Sequence, residues 1–168
     1  MGHEIVYHGE ITSKGVSQVE RILTQLLPGL EEEVTINLCS GGGETTAATG
    51  LYSFIKMMPL PINTHALGWC ASAAVTIFLA GERRTATSPT QFMLHAAHRP
   101  DDTISAHVHQ TIEIFRRDLR WDQATLDHFF TTMNGQYIDS GEALRLGIVQ
   151  ALEDRIISKD SNVHLVEP

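Results

Sequence analysis

Short apolar runs and longer amphipathic stretches alternate along the chain, and they predict strands and helices in turn. The clearest helical pattern places Val16, Val19, Ile22 and Leu23 on one face, and Pro28 marks its end. The predicted strands cover residues 4–7, 34–39, 62–67, 85–87, 91–95 and about 149–157. The predicted helices cover residues 13–27, the stretch from the glycine cluster at 41–43 to about 58, and residues 72–80, 105–133 and 140–146.

Alternation of strands with helices predicts an α/β fold built in layers. The chain of 168 residues has the size of one domain, so we expect a single domain over residues 1–168 with a substantial buried core. The residues from Lys159 onward have no clear helical or strand periodicity, and residues 159–168 are therefore predicted to form a loose tail.

Charge, hydropathy and cysteine content narrow the classes of partner. The chain has 12 basic and 20 acidic residues, and the basic ones are scattered, which argues against nucleic acid as a partner. No apolar run reaches the roughly 18 residues of a membrane span, and the first residues do not resemble a signal peptide. A cytoplasmic location is the expectation. Cys39 and Cys70 are too few for a disulfide framework, and we expect reduced, buried thiols.

Ser72 is the first residue with candidate chemistry. It stands among small residues, after a predicted strand and at the start of a predicted helix. The free amides of a helix N-terminus favour developing negative charge, so a nucleophilic serine would suit this position. Serine is also a favoured helix N-cap without any chemistry. On this segment alone, both interpretations stay open.

The glycine cluster and one histidine supply further candidates. Residues 41–43 follow a predicted strand and could turn amide hydrogens towards an oxyanion, although such a turn is also common without a function. The cluster lacks the Lys-Ser/Thr end of a phosphate-binding loop and the spaced glycines of a dinucleotide site. His95 ends an apolar strand, where an oriented imidazole can act as a base.

Two histidine pairs have spacings that metal sites also use, namely His95 with His98 and His107 with His109. The cysteine or carboxylate complement of a strong zinc motif is missing beside them. We therefore expect no metal, and no motif indicates a cofactor.

Four short motifs follow one another in a specific order. They are Ser-Gly-Gly-Gly at residues 40–43, Gly-Trp-Cys-Ala-Ser-Ala at 68–73, Met-Leu-His at 93–95, and Glu-Ala through Gly-Ile-Val at 142–149. Together they resemble the Ser-Pro-Gly-Gly loop, the nucleophile segment, the histidine strand and the closing helix and strand of the Clp protease proteolytic subunit. That family consists of serine peptidases with the ClpP/crotonase fold, and the resemblance extends to about residue 157.

The resemblance implies a fold and a set of roles. The fold would be a layered spiral of β-β-α units with a projecting handle helix at 105–133. Ser72 would be the nucleophile and His95 its general base. The backbone N–H groups of Gly42 and Ala73 would form the oxyanion hole. The loop with Gly41 and Gly43, together with the strand near His95, would bind an extended polypeptide substrate by backbone pairing.

The chain departs from the family at the third catalytic position. The family's aspartate aligns with Gly135, which has no side chain. Its neighbour Asn134 could accept a hydrogen bond from His95 and fix its tautomer, but it cannot supply a negative charge. Asn134-Gly135 is also a strong turn signal with no catalytic meaning. A nearby carboxylate such as Asp139 is a further alternative.

The resemblance also bears on partners. It begins almost at Met1, so the segment that lines the axial pore in Clp proteolytic subunits is largely missing, and an unfoldase ATPase partner stays open. Apolar positions in the predicted handle helix suit contact with another subunit of a homo-oligomeric ring, or else this chain's own core. These positions are Ile112, Ile114, Phe115, Leu119, Leu126, Phe129 and Phe130.

Three functions are therefore compatible with the sequence. The first is a serine peptidase that uses Ser72 and His95. The second is a catalytically weak or inactive structural or regulatory subunit of the same family, which the loss of the aspartate at Gly135 favours. The third is a crotonase-type acyl-CoA enzyme, which shares the fold and the paired-amide oxyanion hole and would not need Ser72 or His95.

Overall fold

A single mixed sheet forms the framework of the computed structural model, which describes residues 2–29, 33–96, 107–131 and 134–168. The main path of the sheet runs β6-β5-β3-β2-β1-β8, and β4 and β7 extend it from β3. All pairings are parallel except that of β5 with β6. The strands are β1 (His3–His8), β2 (Val34–Ser40), β3 (Ile62–Ala71), β4 (Arg84–Ala86), β5 (Gln91–Leu94), β6 (Gln136–Asp139), β7 (Ala151–Leu152) and β8 (Asn162–Val166).

Helices cover one face of this sheet because that face is apolar. The register aligns Ile5 with Ile36 and Leu38 with Ala66, and all four side chains are fully buried. Burial of such aliphatic side chains is the main favourable term in folding. The helices are α1 (Ser13–Leu26), α2 (Thr45–Met57), α3 (Ala73–Leu79), α4 (His107–Leu119), α5 (Gln123–Phe130) and α6 (Ser140–Arg145), and Leu27–Gly29 forms a short 3-10 turn. The predicted α/β class is confirmed.

β3 exchanges neighbours halfway along its length, and this exchange positions the candidate site. Its first half pairs with β4 over Thr64–Ala66, and its last residues, Trp69–Ala71, pair with β5. Between the two halves, Gly68 has a left-handed φ of 65°. Thr90 Oγ1 accepts from the Gly68 N–H at 3.2 Å and donates to the Ala66 carbonyl at 3.1 Å. The end of β3 therefore lies directly beside the end of β5.

The opposite face of the sheet carries a buried polar cluster. Glu4 accepts from Asn37 Nδ2 at 2.7 Å and from Arg155 at 2.9 Å. His65 Nδ1 lies 2.7 Å from Thr85 Oγ1, and burial lowers the pKa of this imidazole. A buried carboxylate needs such partners, because desolvation of an unpaired charge is costly. The Arg155–Glu4 pair ties the C-terminal part of the chain to β1.

The C-terminal residues differ from the prediction of a loose tail at 159–168. Asn162–Val166 forms β8, which pairs in parallel with β1 along five residues. The predicted strand over about 149–157 is shorter, since only Ala151–Leu152 pairs with β4. Both differences arise from pairing partners that are distant in the sequence.

The predicted long helix over residues 105–133 is wrong in its described part. The helical conformation is interrupted between α4 and α5 at Arg120, which has a left-handed φ of 55°. Asp122 then caps α5 by accepting from the Thr125 N–H at 2.9 Å. The apolar residues of this stretch belong to the chain's own core. Phe115, Leu126, Phe129 and Phe130 are buried, and Ile112, Ile114 and Leu119 pack against them.

Removal of Arg155 tests the polar cluster. We expect Arg155→Ala to lower the free energy of unfolding by about 3 kcal/mol, because it leaves the buried Glu4 carboxylate without its cation. Arg145→Ala is the matched control, since it breaks an exposed pair with Glu142 and costs about 0.5 kcal/mol or less. Urea denaturation measures both, and equal losses would contradict the proposed importance of the buried pair.

Candidate active site

Ser72 occupies a strained turn between β3 and α3. Its backbone has φ 53° and ψ −124°, and among the described non-glycine residues only Arg120 also has a positive φ. Such a conformation costs roughly 1–3 kcal/mol and must be imposed by its surroundings. The Ser72 N–H donates to the Met93 carbonyl at 2.7 Å, which fixes the turn against β5. Ser72 is the N-cap residue of α3 by position, but its side chain makes no capping bond to the helix.

The hydroxyl of Ser72 instead lies against His95. Ser72 Oγ and His95 Nε2 are 2.7 Å apart, a hydrogen-bond distance, and both side chains are half-buried. His95 follows directly after β5, and β5 runs parallel to the end of β3. Parallel pairing brings the carboxyl ends of the two strands together and so joins residues that are 23 positions apart. The sequence prediction of these two residues as partners agrees with this geometry.

The glycine loop packs directly against this pair. Gly42 has a φ of 99°, and a Cβ atom there would lie 2.8 Å from Ser72 Cβ and 3.2 Å from the Ala73 nitrogen. Only glycine fits such an approach and such a φ without strain. The absence of a side chain at Gly42 therefore lets the loop reach the serine and the first amide of α3.

The N–H of Gly42, one of the two predicted oxyanion donors, has a partner within the loop. It donates to Ser40 Oγ at 3.1 Å. The peptide between Gly42 and Gly43 has its carbonyl directed towards Ile11. The Gly42 carbonyl accepts from the Ile11 N–H at 2.8 Å, and the Glu44 N–H donates to the Ile11 carbonyl at 2.9 Å. Because peptides are trans, the N–H of Gly43 between these two bonds points away from Ile11.

The strand near His95, which was predicted to pair with a peptide, has bonded neighbours on both of its edges. β5 is bonded to β3 on one edge and to β6 on the other, so the strand over Gln91–Leu94 has no free edge. Residues 97–106, which follow it, lie outside the described part of the chain. In the loop, Gly41 and Gly43 are exposed, and the backbone of Gly43 turned away from Ile11 can pair with an extended chain.

Asn134 and Gly135 directly precede β6. Leu94 pairs with Gln136, so continuing the antiparallel register by one step sets Gly135 opposite His95. A Cβ atom at Gly135 would meet the Met93 sulfur at 2.7 Å, so Met93 fills the space beside the glycine. Asn134 is exposed and next to this position. Asp139, the other candidate, is the N-cap of α6 and accepts from the Glu142 N–H at 2.7 Å.

A narrow cavity of about 20 Å³ opens beside Ser72 and His95. Its wall is apolar where α4 and α5 contribute Phe115 and Phe130. Three threonine side chains, Thr45, Thr76 and Thr111, complete it. The lining therefore combines apolar side chains with hydroxyl groups.

The described residues show neither a cluster of metal ligands nor a membrane-spanning helix. Within residues 2–29, 33–96, 107–131 and 134–168, no three histidine, cysteine or acidic side chains converge as metal ligands. His98 and the side chain of His107, which belong to the two histidine pairs, lie outside the description. None of the helices described here is long and apolar enough to span a membrane. Cys70 is buried and Cys39 half-buried, and burial raises the pKa of the Cys70 thiol.

Comparisons with known proteins agree on one family. A family model described as Clp protease matches residues 2–155. ATP-dependent Clp protease proteolytic subunit 3 of Rhizobium meliloti is 26% identical over 137 residues, which cover 80% of this chain and 68% of that protein. Proteolytic subunit 4 of Rhodococcus jostii is 29% identical over 123 residues, which cover 69% of this chain and 62% of that protein.

Solved structures agree on the fold. ClpP1 from Listeria monocytogenes superposes with a TM-score of 0.77 at 22% identity, over 91% of this chain and 92% of that one. An asparagine-to-aspartate mutant of the same protein gives a TM-score of 0.81 at 21% identity, with the same coverage. The predicted ClpP/crotonase-like fold is therefore confirmed.

Substitution of two glycines tests the packing of the loop. We expect Gly42→Ala to lower the free energy of unfolding by about 1–3 kcal/mol, because the new methyl group meets Ser72 and Ala71 while φ stays left-handed. Gly50→Ala is the control. It lies inside α2 with no atom within 4 Å of its Cβ position, so alanine should stabilise by about 0.5–1 kcal/mol. Urea denaturation that gives the same sign for both variants would contradict the close approach.

Proposed function

The chain belongs to the Clp protease family, and we propose that it is a serine-type endopeptidase in which Ser72 is the nucleophile and His95 the general base. One observation carries the proposal, namely the 2.7 Å contact between Ser72 Oγ and His95 Nε2. A serine hydroxyl is a weak nucleophile unless a base accepts its proton, and this contact supplies the base. The strained turn at Ser72 supports the same conclusion, because such strain concentrates at functional sites.

The reaction follows from these positions. Ser72 Oγ attacks the scissile carbonyl of a polypeptide as His95 Nε2 takes the hydroxyl proton. His95 then returns the proton to the leaving amine, and the acyl group stays on Ser72. A water molecule, deprotonated by His95, then attacks this ester. The bond between the acyl group and Ser72 Oγ breaks, His95 returns the proton to Oγ, and the second product leaves as a carboxylic acid.

Two backbone amides would bind the oxyanion of the tetrahedral intermediate. We assign them to Ala73, the first residue of α3, and to Gly43 in place of Gly42. The N–H of Gly42 is bonded to Ser40, whereas that of Gly43 points away from Ile11. Each such donor contributes about 3 kcal/mol to transition-state stabilisation in serine proteases.

Asn134 is our candidate for the group that orients His95. It borders Gly135, which would lie opposite His95 if the β5–β6 register continued one step beyond the Leu94–Gln136 pair. An amide oxygen can fix the tautomer of a histidine, although it adds no negative charge to stabilise the imidazolium. We therefore expect a competent but slow enzyme.

Partners are part of the same proposal. Relatives are named proteolytic subunits of an ATP-dependent protease, and we propose that this chain also works in a homo-oligomeric ring in the cytoplasm. The apolar residues of α4 and α5 no longer support that ring, because they pack into the chain's own core.

The two alternative functions differ in the support that they have. A catalytically weak or inactive subunit keeps one supporting observation, the glycine at position 135 where the family has its aspartate. The acyl-CoA enzyme has none, because the matching family and the relatives compared are proteases.

A fluorophosphonate probe tests the nucleophile. We expect the purified wild-type protein to be labelled, and Ser72→Ala and His95→Ala to lose both labelling and peptide hydrolysis, because one removes the hydroxyl and the other its base. Size-exclusion chromatography should give the same assembly for all three proteins. Labelling that persists in Ser72→Ala, or a folded wild-type protein that is never labelled, would overturn the proposal.

Substitutions at position 134 test the orienting group. We expect Asn134→Ala to lower kcat at least about tenfold, and Asn134→Asp to raise it above wild type by supplying the missing charge. Asn162→Ala, at an exposed position in β8, is the control and should leave kcat unchanged. Steady-state peptide hydrolysis measures all three, and wild-type rates in both position-134 variants would exclude the assignment.

A further inference from the structure

Ser40 is a buried residue at the end of β2 with no role in the mechanism above. Its side chain is only 2% exposed, and its hydroxyl accepts from the Gly42 N–H at 3.1 Å. A buried hydroxyl on a strand beside an apolar core needs a specific partner to offset its desolvation. Here that partner is the backbone of the loop that approaches Ser72.

The sheet itself aims Ser40 at this loop. Leu38 pairs with Ala66, but Ser40 pairs with Cys70, so the register between β2 and β3 shifts by two residues just before Ser40. Such irregularities bend the strand and redirect a side chain. The shift brings Ser40 level with the last residues of β3, which lead into the turn at Ser72.

The loop needs such an anchor because it consists of glycines. Gly42 and Gly43 have φ values of 99° and 148°, and neither has a Cβ atom to restrict rotation of the peptide between them. The Ile11 N–H binds one side of that peptide, at the Gly42 carbonyl. Ser40 holds the other end of Gly42, at its N–H.

We propose that Ser40 is a positioning residue for the oxyanion hole. Its hydroxyl binds the Gly42 N–H and so holds the Gly42–Gly43 peptide with the Gly43 N–H turned towards the carbonyl that Ser72 attacks. Without this hydroxyl, the buried Gly42 N–H loses its acceptor, and rotation of the glycine peptides restores a partner at the expense of the oxyanion donor. The inference rests on the proposed peptidase function.

Ser40→Ala tests this role by kinetics. We expect kcat to fall about 10- to 100-fold with KM within a factor of two, since an oxyanion donor acts in the transition state and not on the bound substrate. A peptide aldehyde, which forms an anionic adduct with the serine, should lose affinity by a similar factor. The affinity of a product peptide with a free carboxylate should stay the same.

Three further variants separate positioning from a merely structural effect. Ser40→Thr keeps the hydroxyl and should recover most of kcat. Ser40→Cys fills the same space with a thiol, which is a weaker acceptor than a hydroxyl, so kcat should fall. This variant keeps the test available if Ser40→Ala does not fold. Ser140→Ala is the matched control, because Ser140 is also buried and its hydroxyl donates to the Ser88 carbonyl at 2.6 Å, outside the site. It should keep wild-type kcat.

Different outcomes test the role of Ser40 and the peptidase function itself. A wild-type kcat in Ser40→Cys, a rise in KM with unchanged kcat, or equal losses in Ser40→Ala and Ser140→Ala would overturn the role of Ser40. A wild-type protein without hydrolysis or fluorophosphonate labelling would overturn the peptidase function itself. Hydrogen exchange at the Gly42 amide gives a readout independent of activity, and it should be faster in Ser40→Ala than in wild type.

Discussion

The left-handed backbone at Ser72 constrains the position of every other group in the site. A residue with a side chain pays for such a conformation in strain, and the turn persists because α3 is fully buried and the Ser72 N–H is bonded to Met93. The sharp turn pushes Ser72 Cβ out towards the glycine loop, so the loop can carry no side chain at Gly42. The same turn directs Oγ to His95. Geometry that destabilises one residue thus brings the proposed nucleophile, its proposed base and the glycine loop together.

The sheet supplies the rigidity that this strain requires. β3 pairs with β4 in its first half and with β5 in its last residues, and this exchange brings the turn at Ser72 next to His95. On the face of the sheet opposite the apolar one, the buried groups are polar and include the Glu4–Arg155 pair and His65. Replacement of a whole buried ion pair by apolar residues is often neutral, whereas removal of one partner is costly. The site therefore lies at the end of a sheet that has apolar packing on one face and buried polar contacts on the other.

Local patterns were sufficient for the helices α1 to α3 and for the strands that carry apolar runs, because periodicity is a property of neighbouring residues. Local patterns failed for strands whose pairing partners are far away in the sequence. β6 has only four residues and depends on β5, and β8 exposes Val163 and Leu165 while it pairs with β1. In the site, Ser72 and His95 could be chosen from motifs. The engagement of Gly42 by Ser40 could not, because it depends on the orientation of one peptide.

The pairing of β1 with β8 has a consequence for the order of events during synthesis. His3 pairs with Asn162, so the outer edge of β1 finds its neighbour only after about 160 further residues have left the ribosome. An unpaired strand edge is a template for association with other chains. The nascent protein therefore carries this open edge of β1 throughout most of its translation, until β8 emerges and becomes the outermost strand at that side of the sheet.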